Sequence, residues 1–383
     1  MDAGVFTERA FGELTRTLEG DLAFVPRPAP RDLELSAEAI GLLDEASHGV
    51  GLLAGIGRRV PNPHLLIAPY LRREAVLSSR IEGTITSLSD IYAYEAEQLA
   101  LVDAPDVQEV RNYVSAYEFG LERLGTLPLS LRLIREVHER LMTDIRGGRL
   151  QPGAFRTYQN WIGGATARDA AYVPPPVAAM RGCLDDFERF LHERTLRPLV
   201  HAAVIHYQFE AIHPFGDGNG RVGRLLVLLF LAERGLLPQP LLFLSAFFER
   251  TRSTYYDLLL RVSTHGDWDS WIRYFLEGVR SQARDAAELA DRLLALQARY
   301  RTALQSGRAT ANARALVDHL FMNPIVSASS VRRALGVSAP TALATIRALE
   351  QKSIVREITG RRWGMAFRAD EIFQLLRGEG SSS

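Results

Sequence analysis

His213-Pro214-Phe215-Gly216-Asp217-Gly218-Asn219-Gly220-Arg221-Val222-Gly223-Arg224 is the stretch on which the reading of this 383-residue chain turns. Just upstream, Ile205, Phe209 and Ile212 fall at i, i+4 and i+7, the spacing of one buried helix face, and Pro214 ends that helix. Downstream, residues 222–233 are apolar enough for a central helix. The stretch is therefore a tight loop between two buried helices. Its glycines let the backbone approach a ligand closely and turn N–H groups toward it. The loop runs into a helix N-terminus, where the dipole and unbonded N–H groups favour an anion. Arg221 and Arg224, at i and i+3, project from one side of the first turn. Asp217 is a hard oxygen ligand of the kind Mg²⁺ takes beside phosphate oxygens. His213, at the rim, is an imidazole whose charge changes near neutral pH, as a general base requires. Base, metal ligand, anion cradle and two arginines describe a phosphate-transfer site.

Three other readings of the same residues fail. Gly218-x-Gly220-x-x-Gly223 matches the dinucleotide fingerprint, but that fingerprint needs a preceding strand in a βαβ unit, and here the preceding segment is helical. The Gly-x₄-Gly-Lys-Ser/Thr phosphate loop is absent. Glu210 and His213 are spaced as half of a helical metal site, without a second such pair.

At every defined position the stretch resembles the signature of Fic domain proteins, His-Pro-Phe-x-Asp-Gly-Asn-Gly-Arg-x-x-Arg. The likeness extends over roughly residues 71–279. It includes Leu244-Ser245-Ala246-Phe247-Phe248, Tyr255-Tyr256-Asp257-Leu258-Leu259 and Gly266-Asp267-Trp268 downstream, and Gly153-Ala154-Phe155-Arg156 with Ile162-Gly163-Gly164 upstream. The resemblance implies a protein adenylyltransferase. His213 would take the proton of a target hydroxyl attacking the α-phosphate of ATP, and Asp217 would hold Mg²⁺. Gly218, Asn219, Gly220, Arg221, Val222, Gly223 and Arg224 would bind the nucleotide, with Arg224 on the γ-phosphate. Ile162 and Gly163 would form a flap that aligns the target as an added strand. Tyr256 would touch the adenine, or stand as one more aromatic of the helical core. Ser78-Ser79-Arg80-Ile81-Glu82-Gly83 resembles the family's inhibitory pattern. Ser78 and Glu82 would share a helix face, and Glu82 would pair with Arg224 in place of the γ-phosphate. A homodimer is implied in the same way.

Working outward, the reading gives a mainly α protein with four stretches. Residues 1–106 are an N-terminal region carrying the inhibitory helix. Residues 107–282 are the catalytic core, 283–310 a connecting helix, and 311–383 a winged helix-turn-helix domain. Within the first stretch, the prolines at 26, 28 and 30 suggest an arm or linker over the first thirty residues. A helix is expected to open near Pro69, since proline suits a first turn. In the core, two short β runs between Gly153 and Pro176, around Gly163-Gly164, predict a hairpin flap. In the tail, helices are followed by β-like runs at 354–358 and 362–367 joined by Thr359-Gly360-Arg361, the order of a winged helix.

Bulk properties bound the function without naming it. Basic and acidic residues balance at 45 each, so net charge selects no partner. The tail departs from that balance, with ten Arg/Lys against three Asp/Glu over residues 308–368, a net +7. DNA is thus a candidate partner, although the expected recognition helix offers little beyond Thr341, Thr345 and Arg347 for reading bases. Cys183 is the only cysteine, which fits a reducing compartment. No apolar run approaches the roughly 20 residues of a membrane span, and the reading is a cytoplasmic protein without a membrane partner. Two other functional readings remain open. One is a nucleotide-sensing DNA-binding regulator. The other is the same site moving a different nucleotide or removing AMP, with Glu82 positioning water.

Overall fold

The structure is a computed structural model, and it describes residues 1–59, 64–96, 104–145, 151–237, 239–305 and 310–377. Two short strands, β1 (Gly12–Arg16) and β2 (Leu22–Pro26), come first. Helices α1 (Ala37–Arg59), α2 (His64–Ile81), α3 (Leu88–Glu95), α4 (Ala104–Leu124) and α5 (Leu131–Leu141) follow. Next come α6 (Val177–His192), α7 (Pro198–Ile212), α8 (Asn219–Glu233), α9 (Ser245–Arg250), α10 (Arg252–His265) and α11 (Trp268–Gln305). The last elements are α12 (Ala311–Met322), β3 (Ile325–Ser327), α13 (Ala328–Leu335), α14 (Ala339–Glu350), β4 (Arg356–Glu357), β5 (Ala366–Arg368) and α15 (Asp370–Arg377). Among the described residues no helix is long and apolar enough to cross a membrane.

The chain divides into two compact units that interleave along the sequence. The first comprises Met1–Gly51, Asn112–Pro238 and Leu244–Ala283. The second comprises Leu52–Arg111, Gln239–Phe243 and Arg284–Ser383, so α2 and α3 lie with the C-terminal elements.

The first unit is built around α7 and α8, which pack along each other with α6, α5 and α10 beside them. In α7 every residue from Leu199 to Phe209 is buried, including His201, His206 and Gln208. A helix apolar on all sides has no solvent face and so becomes the centre of the unit. In α8 the buried run extends from Arg221 to Leu231. The two central helices thus place the loop between them, residues 213–218, on a rigid frame.

The first thirty residues are not an arm. β1 and β2 pair antiparallel from Gly12–Pro26 to Arg16–Leu22, and Phe24 is fully buried. The prolines obscured the Leu22–Val25 run, yet Pro26 sits at the strand's end, where no ladder bond needs its missing N–H. The Phe24 N–H donates to Val173 O at 2.9 Å, and α6 and α7 cover the strand. The second helix also opens earlier than proline placement suggests. It starts at His64, with Pro69 in its second turn, where it costs one i→i−4 bond.

In the second unit α12 packs on α2, and α12, α13 and α14 form the helix-turn-helix around Leu316, Leu320, Val331, Ile346 and Leu349. Ser327 closes a capping box with Ser330 at the start of α13, and Gly336 ends that helix in the left-handed region. A three-stranded antiparallel sheet in the order β3-β5-β4 supplies the wing.

Two buried histidines of α7 tie stability to pH. His201 Nε2 lies 2.9 Å from Phe190 O and His206 Nε2 lies 2.7 Å from Tyr255 Oη. Burial pushes His201 down to about 4 and His206 to about 3, so both are neutral in the fold. An unfolded chain takes up these protons from about pH 6.5 downward. Their stabilisation is therefore complete above that pH and falls, by about 1.4 kcal/mol per pH unit for each, until the folded values are reached. Thermal unfolding should show Tm dropping steadily from about pH 6.5 to about pH 4. A Tm that stays level across that window would contradict this.

Candidate active site

The loop between α7 and α8 is shaped by a small set of buried bonds. At its start His213 is left-handed, with φ 48° and ψ 60°, a conformation a non-glycine residue holds only against a steric cost. Arg156 secures it. Its Nε donates to His213 O at 3.0 Å and its main-chain N–H to Pro214 O at 2.8 Å. The rest of the guanidinium donates to Pro175 O at 2.6 Å and Tyr158 O at 3.3 Å. One buried cation thereby joins both arms of the 153–176 segment to the loop. Burial lowers its pKa to about 10, which leaves it charged at neutral pH.

Further along, Asn219 closes the turn. Its Oδ1 accepts from Phe215 N and its Nδ2 donates to Phe215 O, both at 2.9 Å, and the side chain is buried. The amide is thus committed to loop shape, and any share Asn219 has in an anion hole falls to its N–H. Gly218 caps α8 at φ 76°, and a Cβ there would sit 2.9 Å from Met142 Sδ. α8 then begins, where a helix leaves its first N–H groups outside the internal ladder. Gly220 is half-buried, whereas Val222 is in the core and can meet a ligand only through its main chain. At Gly223, a Cβ would come 2.4 Å from Glu210 Oε1, so this glycine serves the approach of α8 to α7.

The candidate reactive groups sit around this frame. The His213 imidazole is 18% exposed, with Nδ1 4.0 Å from Glu210 Oε2. Asp217 is the exposed carboxylate, at 55%, and its Oδ1 accepts from Gly218 N at 2.6 Å. Arg221 lies 3.7 Å from that oxygen, and both Arg221 and Arg224 are buried in the first turns of α8. Among the described residues no group of three or more His, Cys, Asp or Glu could hold a metal unaided. A single accessible carboxylate at the mouth of an anion site suits Mg²⁺ bound together with phosphate oxygens, not in a cage of protein ligands.

Sequence reasoning overlooked His138. This α5 residue is buried, and its ring stacks on Phe215 at 3.7 Å and 4°. Its Nδ1 accepts from Gly153 N at 2.9 Å, which fixes Nε2 as the N–H, facing Asp217 O at 3.1 Å. It therefore ties the root of the 153–176 segment to the main chain of Asp217. Burial pushes it down to about 4, so it works as a neutral imidazole. Beside it a cavity of about 260 Å³ opens between Phe155, Tyr158, Gly216 and Asp217. No local pattern marks His138, because its partners lie 15 and 79 residues away.

The remaining expected residues fall as follows. The hairpin is reduced to a single antiparallel bridge, Ile162–Tyr172, with Ile162 N donating to Tyr172 O at 2.8 Å. Gly163 and Gly164 turn left-handed immediately after it, and Pro174 to Pro176 follow the other side, so neither run extends into a strand. Tyr256 is 38% exposed on α10, beneath the Arg252 guanidinium at 5.8 Å, and its neighbour Tyr255 is the one in the core. In the other unit, Ser78 is fully buried in α2, whereas Glu82 is exposed in the turn just beyond the helix, its N–H on Ser79 O at 3.0 Å.

A loop of this shape between two buried helices defines a class, and the comparisons agree. Residues 128–231 match the Fic/DOC family and residues 40–122 match the Fic/DOC family N-terminal region. Residues 314–369 match an HTH DNA binding domain. The chain thus carries a Fic/DOC domain with that family's N-terminal region, followed by a winged helix-turn-helix domain. Among curated proteins it is 27% identical over 205 residues to protein adenylyltransferase Fic of Drosophila melanogaster, covering 51% of this chain and 38% of that protein. The Drosophila erecta protein of the same name is 28% identical over the same length. The match therefore spans well under half the length of these relatives. In fold, the chain is similar to a Fic family protein from Desulfovibrio desulfuricans, with TM-score 0.57 and 21% identity, covering 88% of this chain and 97% of that one. It is also similar to a fragment of Fic-1 from C. elegans carrying a single substitution, with TM-score 0.50 and 22% identity over 64% of this chain and 72% of that one.

Replacing His138 with Phe keeps the ring against Phe215 and removes both hydrogen bonds. Two main-chain groups then lose their partner, and we expect a stability loss of about 1–3 kcal/mol in urea unfolding, partly restored by His138→Gln. A His138→Phe protein as stable as wild type would show that these bonds contribute nothing.

Proposed function

We propose that the chain is a protein adenylyltransferase that moves AMP from ATP to a hydroxyl side chain of a protein. The observation that carries this reading is the loop itself. His213 at the end of α7, with Asp217 and Arg221 at the start of α8, stands on a frame fixed by Arg156, His138 and Asn219. The names of the Drosophila relatives support the same reading.

In this scheme the target hydroxyl oxygen bonds to the α-phosphorus, the bond to the β-phosphate oxygen breaks, and pyrophosphate leaves. His213 takes the hydroxyl proton, its ring held at the rim by the left-handed turn. The N-terminus of α8, with Arg221 and Arg224, faces the phosphates; donors fixed before the reaction cost nothing to reorganise as charge shifts. Mg²⁺, bound through Asp217, would neutralise phosphate charge. Ile162 and Gly163 would guide the target main chain, and Tyr256 would lie toward the adenine.

Glu82 is proposed as the inhibitory carboxylate, in the turn that follows α2, with Ser78 buried in the last turns of that helix; the support is the Ser78-x-x-x-Glu82-Gly83 pattern. DNA is proposed as the partner of the C-terminal domain, from the helix-turn-helix match and the +7 balance of residues 308–368. A homodimer is the proposed assembly, in a cytoplasmic setting.

Intact-mass measurement after incubation with Mg-ATP and a cell lysate tests the reading, with labelled ATP to follow lysate proteins. Glu82→Gly should transfer an AMP-sized group to itself or to a lysate protein, and wild type should transfer much less. The double variant Glu82→Gly with His213→Ala should transfer none. Absence of transfer by Glu82→Gly with ATP and with other nucleoside triphosphates would overturn the transferase reading in favour of a nucleotide sensor.

A further inference from the structure

The C-terminal domain carries its exposed cations away from the helix that would ordinarily read bases. Each polar residue of α14 that could reach a base edge is already engaged. Thr345 is buried, and its hydroxyl donates to Thr341 O at 2.8 Å. The Thr341 hydroxyl is 2.8 Å from Ser338 Oγ, within the N-cap of the helix. Arg347 donates to Glu350 Oε2 at 2.5 Å and to Met365 Sδ at 3.4 Å, with its guanidinium 5.2 Å from the Phe367 ring centre. Freeing Arg347 for a base would break an ion pair and strip a cation from the aromatic face it covers.

The wing is arranged in the opposite way. At its base, the Glu357 carboxylate accepts from Thr359 N at 2.7 Å and Gly360 N at 3.0 Å, and also from the Thr359 hydroxyl. Ile358 N donates to Ala366 O at 2.9 Å. Beyond this clamp, Arg361, Arg362 and Trp363 are all exposed, between left-handed Gly360 and Gly364. Trp363 is 88% exposed, whereas Trp268 and Trp271 are buried. A large aromatic held in water at a hydrogen-bonded turn, next to two cations, has the composition of a surface that stacks on or wedges between bases while neutralising phosphates.

We infer that Arg361, Arg362 and Trp363 form a duplex-DNA contact that reads groove shape through the wing, with α14 contributing no base readout. The inference rests on the DNA reading of this domain and specifies how that domain would work. Minor-groove cations and an apolar wedge discriminate weakly among sequences, because that groove presents a degenerate pattern.

Fluorescence anisotropy of the full chain with two labelled duplexes of unrelated sequence tests this. Wild type should bind both with affinities within a few-fold of each other. The double variant Arg361→Ala with Arg362→Ala should lower the slope of log K against log salt by about 2, from two lost phosphate contacts. Trp363→Ala should weaken binding by at least about fivefold, the lower end for one aromatic stacked on bases. Thr341→Val and Arg347→Gln should leave affinity unchanged. If wild type binds neither duplex, the DNA reading itself falls, and Trp363 marks a protein-facing surface instead. If wild type binds duplex DNA and the wing variants bind equally well, the inference alone falls. Sequence discrimination that depends on Arg347 or Thr341, or tighter binding of a single strand than of duplex, would also overturn it.

Discussion

The site depends on one buried guanidinium. Arg156 is a cation taken out of water, which is tolerable only when its donors are satisfied. Four bonds, counting that of its own main chain, run to His213, Pro214, Tyr158 and Pro175. They fasten the unfavourable left-handed residue at the end of α7, and they hold the two arms of the 153–176 segment at a fixed distance from it. The orientation of the proposed base and the position of that segment thus have a common cause.

Around that anchor, buried side chains hold the main-chain groups of the loop in place. Asn219 closes on Phe215, Phe215 stacks on His138, and His138 bonds to Asp217 O and Gly153 N. The stack places an aromatic floor beneath the turn. Only Asp217 among the loop's charged groups is substantially exposed. Most of these residues thus build the cradle, and few would touch what it holds.

Much of this was legible in the chain because it is local. A helix face at i, i+4 and i+7, a proline stop, a glycine-rich turn and an apolar run identify the loop between α7 and α8 without further information. The three helices and the two later β runs of the winged domain were legible for the same reason, whereas the short β3 and the closing α15 were not. What could not be read was either disguised or remote. Prolines at 26, 28 and 30 hid a strand that tolerates proline only at its end. Pro69 marked a helix start that lies five residues earlier. His138 and Arg156 act on partners far away in sequence, and no periodicity announces them. Thr345 and Arg347 sit where base-reading residues are expected, and only packing shows them engaged elsewhere.

The central claim is that this loop is a nucleotide-phosphate site completed by a divalent cation at Asp217. Calorimetric titration of ATP into the full chain, with and without Mg²⁺, tests it most directly when wild type is compared with Asp217→Asn. The account predicts that wild type binds ATP more tightly with Mg²⁺ than without, and that Asp217→Asn loses this gain while still binding the free nucleotide. Failure of wild type to bind ATP under either condition, or an undiminished Mg²⁺ effect in Asp217→Asn, would contradict it.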